Sequence, residues 1–399
     1  LVNEISKEKI HFFFVAFLLC LSGLIGVSIT SDAFNAFVFM EISSLATYVL
    51  IALGKDRRAL LASYRYLILG TIGATFFVLG VGIIYVLTGT LNFTEITEKL
   101  KDVEQIRAKY AALSFILVGL TLKAALFPAH AWLPNSYTYA PSFASCFLAA
   151  TSTKVSIYLL IRFIFDIFGY SQNLDVHMIH HIIITLSVCA IFAGSIIAIF
   201  QSDIKKLFAF SSISQIGYIT LGLGISNELG LTASVLHIIN HAITKGLIFI
   251  LIGFLSINLG QVTLNKIAGH AKINPFLSFS LVVGCLSLIG VPGTVGFISK
   301  WTLINAVIVQ EYWLLAFFIL FASLLSIIYS WKIIESLYFK ENTEIASENH
   351  LTKNTYIKNS FSVYFSCSIL VFLCIFLGLE TSYTLQVSNS AAGMMVGIN

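Results

Sequence analysis

The chain has 399 residues, of which 58% are hydrophobic and 11% charged, with a mean hydropathy of +0.92 and a net charge of +4. Soluble domains carry about 25% charged residues, so a water-soluble globule of this length cannot cover its apolar surface with so little charge. Soluble enzymes, nucleic-acid binders and secreted disulfide scaffolds are excluded, and a polytopic all-α membrane protein remains.

Apolar runs long enough for a hydrocarbon layer of about 30 Å recur along the whole chain. They predict eleven spans, at 11–30, 34–53, 64–88, 111–128, 142–166, 179–200, 206–224, 231–258, 275–309, 312–338 and 361–386. Two are interrupted. The fourth runs into Pro128 and Pro134, and the ninth contains Gly290-Val291-Pro292-Gly293. Spanning β-strands are excluded because the runs are too long and do not alternate. The polar segments 89–110 and 339–360 read as a surface helix and a linker, so residues 1–399 form one membrane domain with 361–386 as an extra C-terminal helix.

Placing the loops alternately on two sides puts thirteen Lys and Arg residues on one (Lys7, Lys9, Lys55, Arg57, Arg58, Arg65, Lys205, Lys206, Lys266, Lys272, Lys340, Lys353, Lys358) and five on the other (Lys99, Lys101, Arg107, Lys109, Arg162). The positive-inside rule makes the first side cytoplasmic, so the sequence starts inside and ends outside. Cys20, Cys146, Cys189, Cys285, Cys367 and Cys374 all sit in apolar runs without a C-x-x-C pair and read as small buried hydrophobes. His177, His180 and His181 fall at an interface and are expected to be solvated.

Lys123, Lys154, Lys245, Lys300, Lys332 and Glu41 fall inside the apolar spans. A charge at mid-membrane costs roughly 2.5–3.5 kcal/mol on insertion scales. The bland explanation is snorkelling of a long side chain to the interface. It suits Lys332, which is followed closely by Glu335, Tyr338 and the span end. It fails for Lys154 and Lys245, which lie far from their span ends, and for Lys123, which has an apolar run before it and the broken Pro128 region after it; an interior polar role is expected for them and for Lys300. His237, His241 and Lys245 are spaced i, i+4, i+8 and therefore share one helix face, flanked by Asn240. Such a row can exchange protons near neutral pH, although polar glue between helices is the competing explanation. A metal site is disfavoured, since no third ligand lies nearby and no His-Glu-x-x-His pattern occurs.

Interrupted spans are tolerated where they border a protein-lined cavity, and breaks at matching places in two halves suggest inverted repeats. Pro292 follows Pro128 by 164 positions, and each break has a lysine beside it. Two pseudo-equivalent five-helix units are expected, at 11–166 and 179–338.

Together these segments resemble the proton-translocating antiporter-like subunits shared by Mrp-type cation/proton antiporters, respiratory complex I and membrane-bound hydrogenases. The resemblance is carried by Phe37-Val38-Phe39-Met40-Glu41, by Leu122-Lys123-Ala124-Ala125-Leu126-Phe127-Pro128-Ala129-His130-Ala131-Trp132-Leu133-Pro134 and by Lys154-Val155-Ser156-Ile157-Tyr158. Asp203-Ile204-Lys205-Lys206-Leu207, Ser211-Ser212-Ile213-Ser214-Gln215, His237 to Lys245 and Gly290 to Lys300 complete it. The resemblance implies fourteen spans, three of which would precede Leu1. It also implies a proton path at mid-membrane in which Glu41 pairs with Lys123, Lys154 relays to the second half, His237, His241 and Lys245 continue the row, and Lys300 is the terminal exchange group.

Gln215 departs from the pattern, because many complex I subunits carry His there and Gln cannot carry a proton. Asn240-His241-Ala242 with Lys245 looks closer to the Mrp D-type subunit. The expected function is a proton-conducting subunit of a multisubunit Na+/H+ antiporter in the bacterial inner membrane, with other membrane subunits as partners and no cofactor or metal of its own. The alternative is a proton-pumping membrane-arm subunit of NADH:quinone oxidoreductase or of a membrane-bound hydrogenase, and whether the chain serves an enzyme complex stays open. A stand-alone solute carrier is a third possibility.

Overall fold

The computed structural model describes residues 4–169, 176–340 and 361–396. Among them the chain is helical apart from turns and two isolated β-bridges. A short 3-10 turn, Lys7–Lys9, leads into α1 (Ile10–Ile29). Then come α2 (Ala33–Ala52), α3 (Arg57–Thr88) and a short amphipathic helix α4 (Phe93–Asp102), which buries Phe93, Ile96 and Leu100 and turns its charges outward. This is the surface helix expected in 89–110; residues 341–360 of the expected linker lie outside the described residues.

The fourth span is α5 (Ile106–Ala124), a break, and α6 (Leu133–Tyr139). The fifth is a kinked pair, α7 (Ser142–Ala150) and α8 (Ser152–Ile161), continued by a π-helical turn at Arg162–Ile167. The second half contains α9 (Val176–Ile199), α10 (Ile204–Ile225) and α11 (Glu228–Leu259), then α12 (His270–Ile273). It continues with the broken pair α13 (Pro275–Ile289) and α14 (Val295–Val309), and with α15 (Trp313–Tyr338). Helices α16 (Phe361–Leu379) and α17 (Ser382–Val396) follow.

Nine helices or joined helix pairs among the described residues are long and apolar enough to cross a membrane. The two expected spans outside that set are α5, which carries Arg107, Lys109 and Lys123, and the α13–α14 pair, whose halves are each too short. The expected last span, 361–386, needs correction: the helix stops at Leu379 and a new one starts at Ser382. The polar run Glu380-Thr381-Ser382 breaks the apolar pattern there.

Helix α10 is buried along nearly all its length and forms the centre of the bundle. The peripheral helices turn large apolar side chains outward, among them Phe12, Leu18, Leu79, Phe317, Leu324 and Phe372. An outer surface of that kind belongs in hydrocarbon rather than water. Cys189 corrects the expectation for the cysteines, since it lies on such an outward face while Cys20, Cys285, Cys367 and Cys374 are buried and Cys146 is intermediate. Close helix contacts rest on small residues; a Cβ on Gly119 of α5 would sit 2.6 Å from the Gly73 carbonyl oxygen of α3.

One local device occurs twice. Asp32 caps the start of α2 by accepting from the Asn35 N–H (2.7 Å) and forms an antiparallel bridge with Asn92. Asp203 caps the start of α10 by accepting from the Lys206 N–H (3.0 Å) and bridges Thr263 in the same way. Asp203 follows Asp32 by 171 positions, and Thr263 follows Asn92 by the same number. Five crossings separate the start of α2 from the start of α10, so the two copies stand on opposite faces of the bundle.

Candidate functional site

Helix α5 ends at Ala125, whose φ of 57° and ψ of 38° place it in the left-handed region; its N–H still reaches the Leu122 carbonyl. The last turn therefore leaves Lys123 at the broken end, inside the bundle. Its Nζ donates to Glu41 Oε1 of α2 at 2.7 Å and to Ser44 Oγ, one turn further along α2, also at 2.7 Å. The lysine side chain is 2% exposed and that of the glutamate 19%. An opposite charge and a hydroxyl thus replace the hydration that burial removes. The break is held by Trp132, whose indole N–H donates to the Leu122 carbonyl at 2.9 Å, and whose ring stacks on Tyr66 with centroids 3.8 Å apart. Pro128 lies in the break, and Pro134 sits in the first turn of α6, where its missing N–H costs nothing.

Lys154, on the first turns of α8, is buried and donates to the Ala149 carbonyl across the α7–α8 kink. Lys123 and Lys154 share no hydrogen bond. Beside Lys123 lies a cavity of about 10 Å³, lined by Ser44 and Lys123 on one side and by Ser152, Val155 and Ser156 of α8 on the other. That is roughly the volume one water needs.

The second half of the site is built on α11. His237 and His241 stand one turn apart with nearly parallel rings, centroids 6.3 Å apart. His237 Nε2 donates to Gln215 Oε1 of α10 at 2.9 Å, and its Nδ1 pairs with Ser299 Oγ of α14 at 2.8 Å. His241 is buried with neither ring nitrogen hydrogen-bonded, and the neighbouring Asn240 Oδ1 and Gln215 Nε2 are also unsatisfied. His241 lies within electrostatic reach of Lys154, Lys245 and His237, and His237 within reach of Lys300 and Lys154. One turn beyond His241, the fully buried Lys245 amine donates to the Phe208 carbonyl (2.8 Å) and to Ser211 Oγ of α10. Asn240 Nδ2 donates to the Val295 carbonyl at 2.6 Å, tying α11 to the first turn of α14.

Lys300 is buried on α14 and reaches back over the second break, where Pro292 lies, to donate to the carbonyls of Leu288 (2.8 Å) and Ile289 (3.0 Å). Its amine also lies over the Tyr218 ring at 4.7 Å. Lys332 does something different: it donates to the Ile199 carbonyl at 2.7 Å and so caps the C-terminus of α9. Of the interfacial histidines, His181 is exposed on α9 and the side chain of His177 lies outside the described residues.

Sequence reasoning missed the hydroxyl partners Ser44, Ser211 and Ser299. Two of them had a readable signal, for Ser44 is i+3 from Glu41 and Ser299 directly precedes Lys300. Lys109, counted among the loop charges, is 1% exposed and its Nζ has no hydrogen-bond partner among the described residues. Helix α5 starts earlier than its hydropathy suggests and carries that lysine inward.

The profile of the family described as "NADH:quinone oxidoreductase/Mrp antiporter, TM" matches residues 30–326. NADH-quinone oxidoreductase subunit N of Desulforudis audaxviator is 40% identical over 328 residues, covering 82% of this chain and 65% of that protein. The D-type chain of the Na(+)/H(+) antiporter of Alkalihalophilus pseudofirmus is 32% identical over 328 residues, covering 82% and 66%. The chain thus spans just under two thirds of the length of these curated relatives. Among solved structures, the archaeal membrane-bound sulfane sulfur reductase matches with a TM-score of 0.88 at 30% identity, over 99% of this chain and 78% of that one. The Mrp complex of Dietzia sp. matches with a TM-score of 0.85 at 24% identity, over 96% and 77%, a likeness of fold alone.

Proposed function

Because the chain belongs to the NADH:quinone oxidoreductase/Mrp antiporter transmembrane family, we propose that it is the proton-conducting subunit of a multisubunit monovalent cation/proton antiporter. Its site for the proton is the row Glu41, Lys123, Lys154, His241, His237, Lys245 and Lys300. The observation that carries this reading is the ion pair of Glu41 and Lys123 at 2.7 Å, set at a helix break and nearly sealed from outside. When the carboxylate withdraws, the amine loses the charge that holds its proton, and Ser44 remains to keep the side chain in place. The proton then passes toward Lys154 and on to the second half, where the charges of Lys154 and Lys245 both act on His241.

Two inverted five-helix units, 11–166 and 179–338, frame this row; the repeated Asp-capped bridge on opposite faces supports them. Other membrane subunits of the same assembly, protons and Na+ are the partners on this reading, in the plasma membrane of a bacterium.

A second reading is a redox-driven proton pump. It is favoured by the 40% identity to a complex I subunit N and by the 30% identity to a chain of the sulfane sulfur reductase. The row serves either machine, since it carries protons whether an ion gradient or electron transfer in partner chains drives them. Purification of the intact assembly, mass spectrometry of its subunits and flux in proteoliposomes separate the two. Na+-dependent proton movement without a redox substrate supports the antiporter; movement only with an electron donor and acceptor supports the pump.

A further inference from the structure

A cavity of about 310 Å³ opens at the lysine-rich face, where the end of α6, the start of α7, the start of α10 and the end of α11 converge. Charged groups of both signs surround it: Lys55, Arg58 and Lys205 against Glu4, Asp56 and Asp203. None of them belongs to the buried row.

At one wall, Glu4 joins both halves of the bundle. Its carboxylate accepts from the Ser142 N–H at 2.8 Å and from Ser142 Oγ, both at the start of α7, and from Ser256 Oγ of α11 at 3.3 Å. Ser142 and Ser256 hydroxyls pair at 2.9 Å, and Lys205 Nζ of α10 donates to Ser142 Oγ at 3.1 Å. Three groups able to move a proton by rotation or exchange (a carboxylate and two hydroxyls) thus meet an amine at the edge of a cavity with room for several waters.

The position relative to the buried row gives this cluster its meaning. Lys205 and Phe208 are three residues apart on α10, about 4.5 Å along the axis, and the Phe208 carbonyl accepts from Lys245. Ser256 follows Lys245 by eleven residues on α11, which at 100° per residue returns it to nearly the same face. The cluster therefore lies on the lysine-rich side of the buried lysine, on the same face of α11 and about 16.5 Å from it along the axis.

We propose that this cavity is the proton-access vestibule for the second half of the chain, with Glu4 as its loading carboxylate. A proton from vestibule water binds a Glu4 carboxylate oxygen and forms the neutral acid. The acid then gives it to Ser142 Oγ and returns to the carboxylate, while the Ser142 hydroxyl hydrogen passes to Ser256 Oγ. The Ser256 hydroxyl hydrogen leaves through intervening water to a neutral Lys245 amine, which accepts it. Lys205 Nζ, donating to the Ser142 hydroxyl, keeps that hydroxyl turned toward Glu4. This inference rests on the proton-relay reading above, and its test separates the two.

The test compares Glu4→Gln, Glu4→Asp and Lys123→Ala, each in the full-length chain within its assembled complex, by proton flux in proteoliposomes. Glutamine keeps an acceptor for the Ser142 N–H but carries no proton. The expected result is a fall of roughly tenfold or more for Glu4→Gln, partial recovery for Glu4→Asp, and loss for Lys123→Ala. Full flux in Glu4→Gln beside loss in Lys123→Ala overturns the vestibule and leaves the relay standing. Equal losses in Glu4→Gln and Glu4→Asp also overturn it, making Glu4 a clasp of fixed length. Full flux in Lys123→Ala removes the relay itself. Should the Glu4 variants fail to assemble, Lys205→Met takes their place: reduced flux is expected, and unchanged flux overturns the proposal.

Discussion

The amine of Lys300 donates to the carbonyl of Leu288 at 2.8 Å, and Leu288 stands two residues before the left-handed cap at Gly290, as Lys123 stands two residues before the left-handed cap at Ala125. The two lysines enter their breaks from opposite sides in sequence, one ahead of the cap and one behind it. Each nevertheless brings its amine to the broken helix end. Exposed carbonyls at such an end carry partial negative charge, and at Lys300 they take the part that Glu41 takes at Lys123.

That contrast predicts unequal consequences of removing partners. Glu41→Ala leaves Lys123 buried with only Ser44, and breaking a buried pair in this way costs about 3–5 kcal/mol. Proton-coupled transport should be abolished in Glu41→Ala and Lys123→Ala while membrane insertion is kept. Flux assays beside membrane fractionation check this, and retained transport in both variants would remove the assignment.

The caps themselves differ in strain. Ala125 adopts φ 57°, which costs a non-glycine residue about 1–2 kcal/mol, so Ala125→Gly should leave stability unchanged or raise it slightly. Gly290 has φ 88°, and a Cβ there would lie 3.0 Å from Lys300 Cδ. Gly290→Ala should lower the thermal midpoint in detergent and reduce transport together, because it both strains the break and pushes on the lysine.

Gln215 Oε1 accepts from His237 Nε2 at 2.9 Å and holds the ring in place. Gln215→Ala leaves a buried ring nitrogen unsatisfied, at a cost of about 1–3 kcal/mol. Stability and flux should both fall. Gln215→His offers the ring a titratable partner instead, and flux should be kept; a Gln215→Ala protein as stable as the parent would show that the pairing contributes nothing.

Lys332 is the control among the lysines. Lys332→Met removes the cap on Ile199, worth about 0.3–1 kcal/mol, and keeps the apolar stem. Flux in this variant should match the parent, whereas Lys154→Met and Lys245→Met should lose it.

At the lysine-rich face, Asp56 caps α3 by accepting from the Arg58 N–H at 2.9 Å, and hydrogen bonds from Arg58 hold its carboxyl below the usual carboxylate range. A lowered folded value means the stabilisation is complete above the unfolded value near 4 and is lost as the pH falls through the folded one. Asp56→Ala should therefore weaken α3 by about 0.5–2 kcal/mol at neutral pH, with the difference from the parent vanishing in strong acid. Urea or thermal unfolding at pH 7 and pH 3 measures it.

Much of this molecule was legible in its residue pattern, because a bilayer reads sequence one residue at a time. The cost of an apolar or charged side chain in hydrocarbon depends on its own chemistry, so spans, breaks at Pro128 and Pro292, and the oddity of Lys123 or Lys245 in an apolar run show without a partner in view. Spacing along one helix showed as well, since His237, His241 and Lys245 share a face by geometry alone. The inward turn of Lys109 and the outward one of Cys189 were not legible, for each depends on which neighbour covers it, whereas the boundary at Leu379 falls at the polar run Glu380-Thr381-Ser382 in the sequence itself.

What only the tertiary structure decided is which group answers each buried charge. Glu41 and Lys123 are 82 positions apart, His237 and Ser299 are 62 apart, and Glu4 and Ser256 are 252 apart. A hydrogen bond forms within about 3 Å, and no local rule sets which helices approach that closely. Packing of small residues and the placement of the two breaks set it. The sequence alone determined that charge would be buried; the fold determined which groups hold it.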